Sequence, residues 1–154
     1  MENAQVLIIL GSKSDVDAMS SCGELLSKFG IDYRLEVSSA HRQPNRTVDL
    51  VKQAEKDGVK VIIAAAGMAA HLPGVVASHT ILPVIGVPLP GSTLNGMDSL
   101  LSIVQMPAGI PVATVAVGSH GAGNAAILAA EILALSNDNI KANLETYRKE
   151  LAGA

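Results

Sequence analysis

The stretch Val6-Leu7-Ile8-Ile9-Leu10-Gly11-Ser12-Lys13-Ser14-Asp15 decides how the chain folds. Five consecutive apolar residues match a strand buried on both faces, as strands of a parallel sheet are. A Gly-Ser turn follows, and Ser14 or Asp15 can cap a helix, so the unit is a strand leading into a helix. Met19, Leu25, Leu26 and Phe29 then recur at helical spacing. That spacing predicts a helix over residues 15–29, closed by Gly30.

Outward from this unit the same alternation repeats. Residues 33–37 alternate weakly and read as a second strand. Pro44 opens a second helix, whose apolar stripe is Val48, Leu50, Val51 and Ala54 and whose end is Gly58. Residues 59–65 form a third strand. The Ala-rich stretch 69–78 predicts a helix whose regular part starts at Pro73, because proline costs about 3 kcal/mol in a helix interior. Strand four covers 83–87, helix four 97–106 and strand five 112–117. Residues 124–135 form a helix apolar nearly all round, as one buried on several sides is.

No internal repeat, low-complexity tract or linker interrupts the series, so one domain is expected over 1–154, with its core over about 5–135. Strand–helix alternation implies right-handed crossovers and one parallel sheet covered on both faces. Five strands predict an α/β, flavodoxin-like three-layer sandwich with strand order 2-1-3-4-5. A last segment stands apart. Ser136 or Asn137 can cap a helix, about 137–151, in which Ile140, Leu144, Tyr147 and Leu151 line one face. This C-terminal amphipathic helical arm has two possible seats, its own sheet or a neighbouring copy.

Composition narrows the function classes. Among 154 residues, 49% are hydrophobic and 16% charged. The charged share falls below the roughly 25% of ordinary domains and points to surface hidden in a homo-oligomer. Net charge is −3, which argues against a nucleic-acid partner. No apolar run nears the roughly 18 residues that span a bilayer, so no membrane partner is expected. The N-terminus Met1-Glu2-Asn3-Ala4-Gln5 lacks a basic region, so no signal peptide is read there. The one cysteine, Cys22, sits in a helical pattern and reads as a small buried residue. A cytoplasmic setting is expected.

Five segments end the strands: Gly11 to Asp15, Ser38 to Arg42, Ala66 to His71, Pro90 to Gly96 and Gly118 to Asn124. In a parallel sheet they gather at the edge where ligands of open α/β folds bind. In the first, backbone N–H groups and Ser hydroxyls form an anion site, and Asp15 could accept from sugar hydroxyls; plain helix capping is the alternative. In the second, Arg42 offers a planar fork for phosphate and His41 a group that trades protons near neutrality. In the third, small residues let a ligand approach the backbone, and His71 is either a structural hydrogen-bonding residue or a catalyst. His79 falls at the far edge and is read as structural; His120 could meet a ligand or a neighbour. No triphosphate loop and no zinc spacing is present. The three aromatics, Phe29, Tyr33 and Tyr147, lie outside the five segments, leaving nothing for a flavin ring to stack on.

Taken together, Gly11-Ser12-Lys13-Ser14-Asp15, Ser39-Ala40-His41-Arg42, Ala70-His71-Leu72-Pro73-Gly74, the run 98–107 and the run 124–130 resemble the PurE family. The resemblance covers about 6–135, and its closer form is to the bacterial N5-carboxyaminoimidazole ribonucleotide mutases of purine biosynthesis. It implies an octamer and interconversion of N5-carboxyaminoimidazole ribonucleotide with 4-carboxy-5-aminoimidazole ribonucleotide. It implies no cofactor and no metal. By the same resemblance Ser12, Asp15 and Arg42 bind the nucleotide, His41 transfers the proton and His71 lines the reaction site. Ser14, Ser39, Ala40, Gly67, Ala70 and Leu72 complete the expected substrate-binding set. A second branch of the family carboxylates aminoimidazole ribonucleotide with free carbon dioxide, and a non-enzymatic nucleotide-binding module on the same fold is the other alternative. Arg42 in place of Lys, and the intact run 69–74, favour the mutase branch. Two positions depart from the usual pattern: Met68 stands where Gly is common, and Ser119-His120 replaces small or basic residues.

Overall fold

Strands that are apolar at every position need cover on both faces, and the chain supplies it. In the computed structural model, which describes residues 4–153, β1 (Val6–Leu10), β2 (Tyr33–Val37), β3 (Val61–Gly67), β4 (Val84–Leu89) and β5 (Ala113–Thr114) form one sheet. Its order is β2-β1-β3-β4-β5, and each pairing is parallel. The N-terminal reading at Met1, Glu2 and Asn3 lies outside the described residues.

Alternate residues of each strand feed two cores. Val6, Ile8, Leu10, Val61, Ile63, Ile85 and Val87 point to one face. There they meet α1 (Ser20–Lys28), α5 (Ser119–Ala134) and α6 (Asp138–Leu151). Leu7, Ile9, Ile62, Ala64 and Val84 point to the other, against α2 (Pro44–Lys56), α3 (Leu72–Ala77) and α4 (Met97–Val104). The result is the expected three-layer α/β sandwich. Pro44 occupies the first turn of α2, where a missing N–H costs nothing.

Several boundaries differ from the sequence reading, each for a local reason. The helix expected over 15–29 starts only at Ser20. Ahead of it run two short 3₁₀ turns, Lys13–Asp15 and Asp17–Met19. The Ser12 hydroxyl accepts from the Ser14 N–H at 3.3 Å and from the Ser14 hydroxyl at 2.9 Å, and such local bonds compete with helix. β3 and β4 each run two residues further than expected, pairing Gly67 with Leu89. Val59 is spent earlier, its N–H donating to the Ala54 carbonyl behind α2. The helix expected over 69–78 is the shorter α3, with Pro73 in its first turn, and α4 stops at Val104 rather than 106.

β5 shows the largest difference, two residues where six were expected. A Cβ at Gly121 would fall on the Ala116 carbonyl, so α5 begins hard against the chain leaving β5. That close approach needs glycine, and beyond Thr114 the chain stays along β4 through Val115 N–H to the Gly86 carbonyl at 3.1 Å and Gly118 N–H to the Pro88 carbonyl at 2.8 Å. The glycine also lets α5 begin at Ser119, five residues before the apolar pattern announces it. The C-terminal arm packs on its own subunit. The Asn137 side chain caps α6 by accepting from Asn139 and Ile140 N–H, Ile140 and Leu144 are buried, and Tyr147 meets Phe29 edge-on at 5.3 Å.

Candidate active site

The C-terminal ends of β1, β2 and β3 lie side by side, so the turns that follow them share one space. Gly11 N–H donates to the Ala65 carbonyl and Ser38 N–H to the Leu10 carbonyl, extending the ladder to the start of each turn. A cavity of about 560 Å³ opens there, within the size range of small-molecule sites. Ser12, Ser14 and Asp15 line it from the first turn, Ser39, Ala40, His41 and Arg42 from the second, and Gly67, Met68, Ala69, His71 and Leu72 from the third.

The second turn is held from below. Ser38 and Thr47 are fully buried, and their hydroxyls are 2.8 Å apart. Thr47 donates to the Gln43 carbonyl at 3.2 Å, so Ser38 is the donor to Thr47. This pair ties the end of β2 to the first turns of α2 and brackets residues 39–46. Within the turn, Arg42 N–H donates to the Ser39 hydroxyl at 3.3 Å. The Arg42 guanidinium reaches across to the Gly11 carbonyl at 3.5 Å, which places its charge beside the first turn. Fixed there, it is a ready partner for an anion.

His41 and His71 come from turns thirty residues apart and meet at one point. His41 Nε2 and His71 Nδ1 are 2.6 Å apart, with the rings nearly perpendicular at 88°. One nitrogen donates and the other accepts, so the contact couples the tautomers of the two rings. Both residues are exposed to the cavity, where a ligand can reach them. The other titratable wall group is Asp15. Burial pushes its carboxyl above the ordinary value, against the lowering pull of the Ser12 backbone and the Ser14 hydroxyl. Burial also pushes the Cys22 thiol up to about 12, which leaves it inert on the buried face of α1. Among the described residues, no group of three or more His, Cys, Asp and Glu is arranged to hold a metal ion.

Residues 5–154 match the family model described as AIR carboxylase. The chain belongs to the AIR carboxylase family. It is 53% identical over 150 residues to the N5-carboxyaminoimidazole ribonucleotide mutase of Pyrococcus horikoshii, covering 97% of this chain and 84% of that one. It is 54% identical over 147 residues to the Saccharolobus solfataricus protein of the same name, covering 96% and 92%. Among solved structures, the crystal structure of Treponema denticola PurE superposes with a TM-score of 0.87 at 32% identity, over 96% of this chain and 91% of that one.

Within this AIR carboxylase fold, nearly all residues singled out from sequence meet at one cavity. Ala70 is the exception: it is buried at 1% exposure and off the wall. Its N–H donates to the Met68 carbonyl at 2.9 Å, so it closes the third turn from behind. His79 is exposed at the opposite edge and His120 on α5; neither lines the cavity. Sequence reading put Gly11, Ala66, Met68, Ala69, Pro90 and Gly91 in the edge segments without giving them a binding role, and the structure adds them to the wall. Gly11 and Ala66 are strand ends with no side-chain chemistry to signal them. Pro90 and Gly91 enter because β4 runs on to Leu89 and carries its turn over the end of β3. No helix among the described residues is long and apolar enough to cross a membrane.

Proposed function

We propose that this chain interconverts N5-carboxyaminoimidazole ribonucleotide and 4-carboxy-5-aminoimidazole ribonucleotide as a step of purine biosynthesis. The observation that carries the reading is the His41–His71 pair, 2.6 Å apart in a cavity that also holds Ser12, Asp15 and Arg42. The 5′-phosphate takes the N–H groups and hydroxyls of the first turn with Arg42 beside it. Asp15 accepts from the ribose hydroxyls. The imidazole lies along the small-residue wall from Gly67 to His71.

The chemistry then needs one shuttled proton. Protonated His41 gives its proton to N5 as the carbamate C–N bond breaks, and carbon dioxide is released into the cavity. C4 of the electron-rich ring attacks that carbon dioxide and forms the new C–C bond. His41 takes the proton from C4, which restores aromaticity and returns the imidazolium. Acid and base are one group, a role in general acid–base catalysis that a positioned histidine can fill. His71 is the positioning residue, presenting one face and one tautomer of His41. Confinement keeps a weakly held molecule next to its acceptor, an advantage of proximity.

The runner-up reading is carboxylation of aminoimidazole ribonucleotide by free carbon dioxide. Arg42 and the relatives at 53% and 54% identity, named as mutases, support the first reading. A homo-oligomer, octameric as the resemblance implies, is part of the proposal. It is supported by Met97, Leu101 and Val104, which leave one side of α4 apolar and exposed. A cytoplasmic setting suits the unpaired thiol of Cys22. The test mixes the protein with N5-carboxyaminoimidazole ribonucleotide, without ATP or added bicarbonate, and follows the 4-carboxy product. Turnover is expected. No product from a protein that still binds the ribonucleotide would remove the mutase reading.

A further inference from the structure

Met68 holds a backbone conformation that its side chain disfavours. Its φ is 55°, in the left-handed region where glycine is at ease and other residues are strained. Asn95, at φ 53°, is the other non-glycine residue there among the described residues, and asparagine tolerates the region. The Met68 strain is locked in by its neighbours: Ala70 N–H donates to the Met68 carbonyl at 2.9 Å and His71 N–H to the Ala69 carbonyl at 2.8 Å. Strain kept in this way gathers at ligand sites.

The side chain it presents is unusual in the same place. Met68 is apolar yet 62% exposed, and it lines the cavity. Around it the third turn offers the small residues Gly67 and Ala69, the His71 imidazole and the buried Leu72, and Ala40 and Gly91 stand on the neighbouring turns. No Phe, Tyr or Trp lines the cavity; the rings on its wall are the imidazoles of His41 and His71, already turned edge-on to each other. Phe29 and Tyr147 pair with each other under α6, and Tyr33 packs over Gly23. Of the large apolar side chains on this wall Leu72 is buried, so a flat heteroaromatic ring entering here meets the exposed Met68 thioether, and thioethers pack favourably against such rings.

We propose that Met68 is a specificity-determining residue whose thioether covers the face of the substrate's ring. It thereby selects ligands that carry a base over those that carry ribose phosphate alone. The inference rests on the cavity being a ribonucleotide site. The test compares equilibrium binding of 5-aminoimidazole ribonucleotide and of ribose 5-phosphate to wild type, Met68→Gly and Met68→Leu. Met68→Gly is expected to weaken the ribonucleotide by about threefold to tenfold and to leave ribose 5-phosphate unchanged. It should melt at or above wild type, because glycine accepts this φ. Met68→Leu, which keeps an apolar cover, should hold the ribonucleotide within about twofold of wild type. Equal loss of both ligands in Met68→Gly, no loss of either, or a leucine variant as weak as glycine would overturn the proposal. Wild type binding neither ligand would instead overturn the ribonucleotide reading beneath it.

Discussion

Beyond β1, β2 and β3 the strands end in short turns whose polar and small side chains face one cavity. Beyond β4 and β5 they end differently. The β4 turn contributes Pro90 and Gly91 as a rim, then runs to α4, whose outer side shows Met97, Leu101 and Val104 to solvent. β5 pairs over two residues and gives way to α5, with His120 on the outside. One half of the edge gathers Ser12, Asp15, Arg42, His41 and His71 around a cavity, where the proposed function seats a small anionic molecule and moves a proton. The other is built to pack, against its own sheet and, by its exposed apolar side, against something further. Five turns of similar composition therefore differ in what they face: three open on the cavity, the fourth only rims it, and the fifth passes at once into α5.

The widest gap between the halves should appear at the histidines. His41→Asn keeps shape and hydrogen bonding but cannot carry a proton, and turnover should fall by about 10²- to 10⁴-fold with ribonucleotide binding retained. His120→Ala, on the packing half, should leave steady-state turnover within about twofold of wild type. Similar losses in the two variants would erase the distinction between the halves.

Asp15→Asn comes next, and it should move binding and stability in opposite directions. Losing the carboxylate should weaken the ribonucleotide by about tenfold, the scale of a hydrogen bond to a charged group. The unliganded protein should melt higher than wild type at neutral pH. The sign follows from burial, which raises the folded-state value of Asp15 above its ordinary 3.8. Its contribution to stability is present below that ordinary value and is lost as pH rises through the raised one. The advantage of the asparagine variant should accordingly shrink toward zero in acid. Thermal melts across pH, with and without ligand, check both directions.

The smallest effect concerns the support beneath the second turn. Thr47→Val leaves the buried Ser38 hydroxyl without its acceptor and should cost about 1–3 kcal/mol in stability, with a few-fold loss of turnover. Adding Ser38→Ala removes the orphaned group and should recover much of the stability. If the double variant is no better than the single one, the hydroxyl pair does not act as a unit.

Much of this was legible in the chain. Val6 to Leu10 predicts a doubly covered parallel strand because every position is apolar, and the structure buries all five. Pro44 and Asn137 mark helix starts because each acts within one turn of its own position. What could not be read depends on contacts distant in sequence. The close seat of α5 on the chain leaving β5, Gly121 against Ala116, is encoded by no periodicity. His41 and His71 are visible as residues at strand ends, but their contact depends on the β2-β1-β3 neighbourhood. The buried hydroxyls of Ser38 and Thr47 carry no motif, and their role appears only once β2 and α2 are in place. Methionine itself gives no hint of the positive φ at Met68, since it rarely adopts one; the only hint was the glycine common at that position in the family the sequence resembles.

The central claim is that one cavity, at the β1–β3 half of the edge, holds both the broken carbamate and the carbon it returns to. The most direct measurement starts from ribonucleotide labelled in its N5-carboxyl carbon and runs the reaction in unlabelled bicarbonate. The account predicts that most of the label appears in the 4-carboxy product. Complete washout, with product carrying only unlabelled carbon from solution, would contradict it.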